Sequence, residues 1–333
     1  MRKTLKTFVS MCFVFVLATA AFAAPEMTLR LAGQNPIDHQ ATQAMYSIAK
    51  EVAAKTNGRI EIKVYPASQV GDYVLVYEEL IRGTIDMALI SVPSQFDPRL
   101  ELPYINGYIS SYAQVKDVYK PEGWLSKKMD EFHSRLGVKF LGFNVEGMGG
   151  IGTTKPVTEP TNPAVDKGIL LRVCSIDAFK LAAEDVGYRT ITIPYAELYT
   201  ALQTGVAEGV NGLPPVACYT ILKDVLKYYY QTNYFVESES YLMSKKTWEK
   251  LKPEDQKIIA AAAARVAAES IVLSEKDDEK YMDLMRKAGI KVFTYTDKEL
   301  EPLFKRIGAV TWDKMATRMG KDLIDEFKKQ YAK

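Results

Sequence analysis

The chain has 333 residues, with 43 Lys and Arg against 41 Asp and Glu, two His and three Cys. At 47% hydrophobic and 25% charged residues the composition is globular, which excludes a disordered or fibrous chain. The near balance of charge lacks the basic excess that nucleic-acid binding needs, and the length suits two domains that each bury a core.

Residues 1–23 read as a secretory signal peptide. Arg2, Lys3 and Lys6 give a basic start, 8–18 is an apolar run, and Ala21-Phe22-Ala23 offers small residues for cleavage after Ala23. The run is shorter than the ~20 residues of a membrane span. Cys12 lies inside it, away from any cleavage site, which speaks against a lipid anchor. Cleavage leaves 40 basic against 41 acidic residues in an exported, periplasmic protein.

The mature chain opens with alternating strand and helix signals. Residues 28–32 alternate like a strand, Asp38 can cap a helix running to about 56, and Asn57-Gly58 stops it. Residues 59–65 alternate strictly, Asp72 caps a helix to Arg82, Gly83 ends it, and 85–90 is a buried strand. This is the grammar of an open α/β sheet. After a strand at 138–143 comes the glycine-rich Gly147-Met148-Gly149-Gly150-Ile151-Gly152, a natural crossover between domains. A second unit then repeats the grammar: strand 168–173, helix 176–186, strand 189–193, helix 195–204. Tyr228-Tyr229-Tyr230 suits a strand with its rings in the core. From Pro253 to Ala288 there is no Gly or internal Pro, so the pattern predicts a helix of roughly 54 Å running along both domains. A break near 270–274 is the alternative. A strand at 290–295 and one amphipathic helix from Asp297 complete the chain.

Cys174 and Cys218 either pair in an oxidising compartment or stay as buried free thiols; both readings are open. No C-x-x-C or H-x-x-x-H spacing suggests a metal site, and no cofactor is expected. No catalytic set emerges either. Glu78-Glu79 and Asp277-Asp278 read as solvated helix faces, and neither a G-x-S-x-G turn nor a phosphate-binding Gly loop with its Lys occurs. The protein is read as a non-enzyme.

Five segments fall in a telling order: Tyr65-Pro66-Ala67-Ser68-Gln69-Val70-Gly71-Asp72, Gly83-Thr84-Ile85-Asp86-Met87, Leu102-Pro103-Tyr104, Gly168-Ile169-Leu170-Leu171-Arg172-Val173, and the helix Glu197 to Gly205 with Val206-Ala207-Glu208-Gly209. The series resembles the periplasmic solute-binding subunit of TRAP (tripartite ATP-independent periplasmic) transporters, the DctP-like family. The resemblance implies an α/β, two-domain binding-protein fold of type II-like form, with crossing hinge strands and a long helix spanning both domains. It implies domains at 25–149 plus 238–277 and 150–237 plus 278–333, with the ligand cleft between them. It also implies capture of an organic acid by domain closure, delivery to two membrane subunits for sodium-coupled uptake, and a monomer.

By that resemblance Arg172 grips the ligand carboxylate, which a guanidinium fork matches bidentately. Tyr195 would place its ring on the ligand. Gln34 and Asn35 follow the first strand, where an open α/β sheet puts its ligand loops. Tyr73 and Ser91 are further candidates. The second Arg common in the family is absent around Gly150, and the family's site Asn falls on Gly212, so Asn211 is a possible substitute. Small residues at 149–152 and few polar grips suggest a monocarboxylate with an aromatic, indolyl or branched apolar body. A sugar acid, keto acid or dicarboxylate is the alternative ligand. A binding protein for another importer or a receptor is the alternative function.

Overall fold

The computed structural model describes residues 24–331; the expected signal peptide lies outside them. In chain order the first elements are β1 (Met27–Gly33), α1 (Gln40–Lys55), β2 (Ile60–Tyr65), α2 (Tyr73–Arg82) and β3 (Met87–Ile90). A 3-10 turn (Pro98–Tyr104), α3 (Tyr112–Val118), α4 (Trp124–Arg135) and β4 (Val138–Met148) follow. Next come β5 (Gly150–Thr153), β6 (Leu170–Val173), α5 (Asp177–Asp185), β7 (Arg189–Thr192), α6 (Leu198–Gln203), β8 (Gly209–Leu213), α7 (Pro215–Leu222) and β9 (Tyr228–Gln231). The chain ends with β10 (Val236–Ser244), α8 (Lys245–Trp248), α9 (Pro253–Lys287), β11 (Lys291–Thr294), α10 (Asp297–Arg306), α11 (Trp312–Met319) and α12 (Lys321–Tyr331).

The strands form two sheets. The first has the order β2-β1-β3-β10-β4 and the second β11-β9-β5-β8-β6-β7. β1, β2 and β3 run parallel, as strands joined by crossover helices must. β10 enters antiparallel between β3 and β4. Local chemistry explains the helix ends. Asp72 accepts Val74 N–H at 3.2 Å, and Gly83 closes α2 at φ 80°, a left-handed angle that favours glycine. For α1 the cap is His39, one residue beyond the expected Asp38; its Nδ1 accepts Ala41 N–H at 3.2 Å.

The chain changes sheets three times, once through α9 between β10 and β11 and twice on adjacent paths. β4 becomes β5 through Gly149, and β9 becomes β10 through 232–235. Gly149 N donates to Phe235 O at 2.9 Å and Asn233 N donates to Gly149 O at 3.0 Å, so the two crossings are clipped together. A Cβ at Gly149 would lie 1.7 Å from the Phe235 ring. Close approach of two backbones, as well as flexibility, therefore explains this glycine.

α9 is one unbroken helix of 35 residues. The alternative break does not form; instead Ser270 Oγ accepts Val145 N–H at 2.9 Å, tying the helix to β4. Ile259, Ala262, Ala263 and Val266 join the core under the first sheet, and Met285 joins Leu213 and Tyr229 under the second. The single C-terminal helix expected from Asp297 is instead three helices. A wide turn at 307–311 separates α10 from α11, and Gly320 at φ 99° separates α11 from α12. This cap touches both sides of the molecule: Trp312 Nε1 donates to Asn106 O at 2.7 Å and Thr311 Oγ1 to Asp185 Oδ2 at 2.8 Å.

Candidate ligand-binding cleft

The carboxyl ends of β1 and β3 and the strands β4 and β10 meet the carboxyl end of β6 across the space between the sheets. From the first side, Gln34 and Ser91 form a reciprocal pair: Gln34 Nε2 donates to Ser91 Oγ at 3.0 Å and Ser91 N donates to Gln34 Oε1 at 3.1 Å. Ser91 Oγ in turn donates to Glu237 Oε1 at 3.1 Å. Asn35 Nδ2 donates to Glu146 Oε1 at 3.0 Å and to Glu239 Oε1 at 2.8 Å. Tyr104 OH fixes the floor, donating to Ser238 O at 2.9 Å while accepting Val92 N–H at 3.1 Å.

From the second side come Arg172 and Tyr195. Arg172 is 1% exposed; its Nε donates to Ile193 O at 2.9 Å, while Nη2 is buried without a partner. Tyr195 OH crosses the cleft to donate to Asn35 Oδ1 at 2.7 Å. Further links join the two sides around this centre. Tyr73 OH accepts Ser175 N–H at 2.9 Å, and Glu101 accepts Asp177 and Ala178 N–H at 2.8 Å each, at the start of α5. A carboxylate there also meets the positive end of the helix.

Electrostatically the cleft is unusual. Burial pushes the Glu146 carboxyl up to about 7 and those of Glu237 and Glu239 well above the usual carboxylate range; mutual repulsion adds to the rise of the last two, while the Arg172 charge offsets part of it at Glu237. His39, whose Nδ1 lies 3.9 Å from Glu146, is driven down to about 4 by its own burial and is therefore neutral at pH 7. Glu237 Oε2 and Glu239 Oε2 are buried without partners.

The structure thus brings Gln34, Asn35, Ser91, Arg172 and Tyr195 together, with Tyr73 on a cross-cleft clamp. Two expected residues sit elsewhere. Asn211 is completely buried in β8, where Nδ2 donates to Phe179 O at 3.1 Å and Oδ1 accepts Gly212 N–H at 2.9 Å, so its amide is engaged within the second side. Gly150 packs against the second sheet: a Cβ there would lie 2.5 Å from Tyr230 O and 2.6 Å from Tyr229 Oη. The three glutamates were not anticipated. Glu237 and Glu239, two apart in the otherwise uncharged stretch Val236–Ser244, carry the sequence signal that could have found them. Asp278 also departs from its reading as a solvated residue. It is buried, accepts Met148 N–H at 3.0 Å and is bonded by Tyr112 OH. Cys174 and Cys218 are both buried and free. Among the described residues no group of His, Cys, Asp and Glu could hold a metal ion, and no helix is long and apolar enough to cross a membrane.

Two α/β units joined by paired crossing strands, spanned by one long helix and closed over a buried guanidinium define the class of two-domain solute-binding proteins. Comparison fixes the family. The family model of DctP, bacterial extracellular solute-binding protein family 7, matches residues 31–318, and the chain belongs to this family. A solute-binding protein of Chromohalobacter salexigens is 26% identical over 284 residues, 81% of each chain. A TRAP periplasmic solute-binding protein of Desulfovibrio salexigens with bound orotic acid superposes with a TM-score of 0.82 at 22% identity, covering 92% of this chain and 98% of that one. Another, from Haemophilus influenzae with bound L-gulonate, gives 0.81 at 22% identity, covering 91% and 99%. The family is a substrate-binding component of transport.

Proposed function

We propose that the protein is the extracytoplasmic receptor of a TRAP transporter, which captures an organic acid in the cleft and passes it to membrane permease subunits for sodium-coupled uptake. The observation that carries the reading is Arg172, a buried guanidinium with an unpartnered Nη2 inside a cleft closed by residues from both sides. The two sheets would be the cores of domains at 25–149 plus 238–277 and 150–237 plus 278–333. The C-terminal helices bridge them. In this reading the chain is exported, loses residues 1–23 and works as a monomer.

The expected aromatic or branched apolar body rested on a shortage of polar partners. Glu146, Glu237 and Glu239 remove that shortage. A body carrying hydrogen-bonding groups fits better, because each buried polar atom left without a partner destabilises the complex. The orotate and L-gulonate held by two structural neighbours both carry such groups.

A thermal-shift and calorimetric screen of the mature protein against aromatic, keto, dicarboxylic and sugar acids tests the carboxylate reading. At a hundredfold excess over Kd the true ligand stabilises the fold by ~2.7 kcal/mol. Charge-assisted hydrogen bonds contribute about 1.5–3 kcal/mol each. Arg172→Ala is therefore expected to weaken binding at least ~100-fold. Undiminished binding in that variant places the anion elsewhere.

A further inference from the structure

Arg172 and Glu237 enter the cleft from opposite sides and do not bond to each other. Both are buried, at 1% and 4% exposure, and the guanidinium charge acts on the carboxyl, yet Arg172 Nη2 and Glu237 Oε2 have no hydrogen-bond partner. A guanidinium and a carboxylate free to meet would pair bidentately. Each is held from its own side instead: Arg172 Nε donates to Ile193 O at 2.9 Å, and Glu237 Oε1 accepts the Ser91 hydroxyl at 3.1 Å. Ser91 Oγ itself accepts Gln34 Nε2, so its proton is committed to Glu237 Oε1 and the proton of a neutral Glu237 is left on Oε2.

Charge decides that Glu237 is neutral when the cleft holds an anion. A carboxylate on Arg172 cancels the guanidinium, and an ionised Glu237 beside it would be an uncompensated buried charge. The other groups coupled to Glu237 supply no cation. Glu146 and Glu239 are acids, and burial keeps Tyr104, Tyr119, Tyr195 and Cys174 neutral. His39 Nε2 and Glu239 Oε2 are also free, but His39 lies beside Glu146 and Glu239 is bonded to Asn35; Glu237 is the carboxyl on which the Arg172 charge acts.

We propose that Glu237 is the second grip on the ligand carboxylate, a carboxylic acid that donates from Oε2 while Arg172 donates from Nη2. A hydrogen bond from an acid to a carboxylate is short and charge-assisted. The inference rests on the reading of Arg172 as the carboxylate grip and names the residue that faces it. It also makes a proton part of recognition. Burial places Glu146 at about 7, so part of it is ionised at neutral pH. A carboxylate arriving beside this cluster draws a proton from the buffer acid onto it. The ligand stays an anion, and the cluster keeps the proton for as long as the ligand is bound.

The test is calorimetry on the mature protein with orotate, L-gulonate and the tightest acid of the screen above, whose carboxylates stay ionised above pH 6. Titrations between pH 6 and 8.5 are repeated in phosphate and in Tris, which counts the protons taken up. Wild type, Arg172→Ala, Glu237→Leu, Glu237→Gln and Glu146→Gln are compared, with circular dichroism and ligand-free melting confirming that each variant folds. Wild type is expected to take up protons on binding near pH 7.5 and to bind at least threefold more weakly at pH 8.5 than at pH 6.5. Glu237→Leu is expected to weaken binding at least tenfold at pH 6, and Glu237→Gln, whose amide still donates, to recover most of that loss. Glu146→Gln is expected to reduce the proton uptake. Glu237→Leu binding like wild type, equal losses in the Leu and Gln variants, or wild-type binding without proton uptake overturns the proposal. If such binding still requires Arg172, the carboxylate reading stands and the role of Glu237 alone falls. If no organic acid binds the folded protein, both fall.

Discussion

Asn35 is the residue on which the cleft turns. Its amide nitrogen joins two glutamates of the first side, and its oxygen accepts the Tyr195 hydroxyl from the second. Every polar atom of that side chain is therefore engaged, and the Tyr195 bond joins the two sides of the cleft. A neutral hydrogen bond contributes about 0.5–1.5 kcal/mol. Tyr195→Phe is thus expected to weaken ligand binding roughly three- to tenfold, chiefly by faster release, with melting of the free protein moved by less than a degree or two. Stopped-flow dissociation kinetics would measure it. Arg172 was legible in the sequence because its segment resembles a family pattern. The glutamates were not, because a charged residue on a buried strand contradicts the alternation that identifies strands, and only the fold shows that β4 and β10 run beneath one cleft.

At the scale of elements, the crossing strands and the long helix form one device. Asp278 of α9 accepts Met148 N–H at the end of β4 and the Tyr112 hydroxyl of α3, just where the chain leaves the first sheet. Removing this buried acceptor leaves the Tyr112 hydroxyl only Ser274 O, at 3.1 Å, and Met148 N–H only the Tyr112 hydroxyl, at 3.3 Å. Asp278→Ala is expected to destabilise the fold by about 1–3 kcal/mol in urea unfolding. Gly149→Ala drives a methyl into the Phe235 ring and is expected to cost about 1–3 kcal/mol through overpacking. The helix itself was plain from Pro253 to Ala288, since 36 residues without Gly or internal Pro leave few other options. Much of 91–137 and 206–252 was not legible. Short helices such as Tyr112–Val118 and the strand Val236–Ser244, buried along its whole length, show no period that separates them from loops or from each other.

For the whole molecule, buried ionisable groups set an unusual pH profile. Glu146, Glu237 and Glu239 have raised values in the fold. Their contribution is complete below the unfolded value of 4.5 and lost as pH rises, for Glu146 through about 7. His39 and His133 act in the opposite sense. Burial lowers them from 6.5 to about 4 and about 3, so their contribution is complete above 6.5 and lost on acidification. Between 4.5 and 6.5 the two slopes oppose each other; above 6.5 the carboxyls dominate until Lys167, lowered by burial to about 8, begins to oppose them. The ligand-free protein is expected to lose roughly 5 °C of melting temperature between pH 6.5 and 8, with Glu146→Gln reducing that slope and Glu237→Gln or Glu239→Gln reducing it further. A profile flat in wild type would mean that the acids are solvated before unfolding begins.

Cys174, at the carboxyl end of β6 beside Arg172, is 8% exposed, and burial pushes its thiol up to about 12. Cys218 is completely buried in the core under the second sheet. One thiol therefore lies at the proposed cleft and the other in the core of the second side, so opening of the cleft as proposed would make the protein its own clock. A maleimide reagent should modify Cys174 at a rate set by how often the cleft opens, with Cys218 untouched until the chain unfolds. Saturating ligand should slow that clock without altering the thiol.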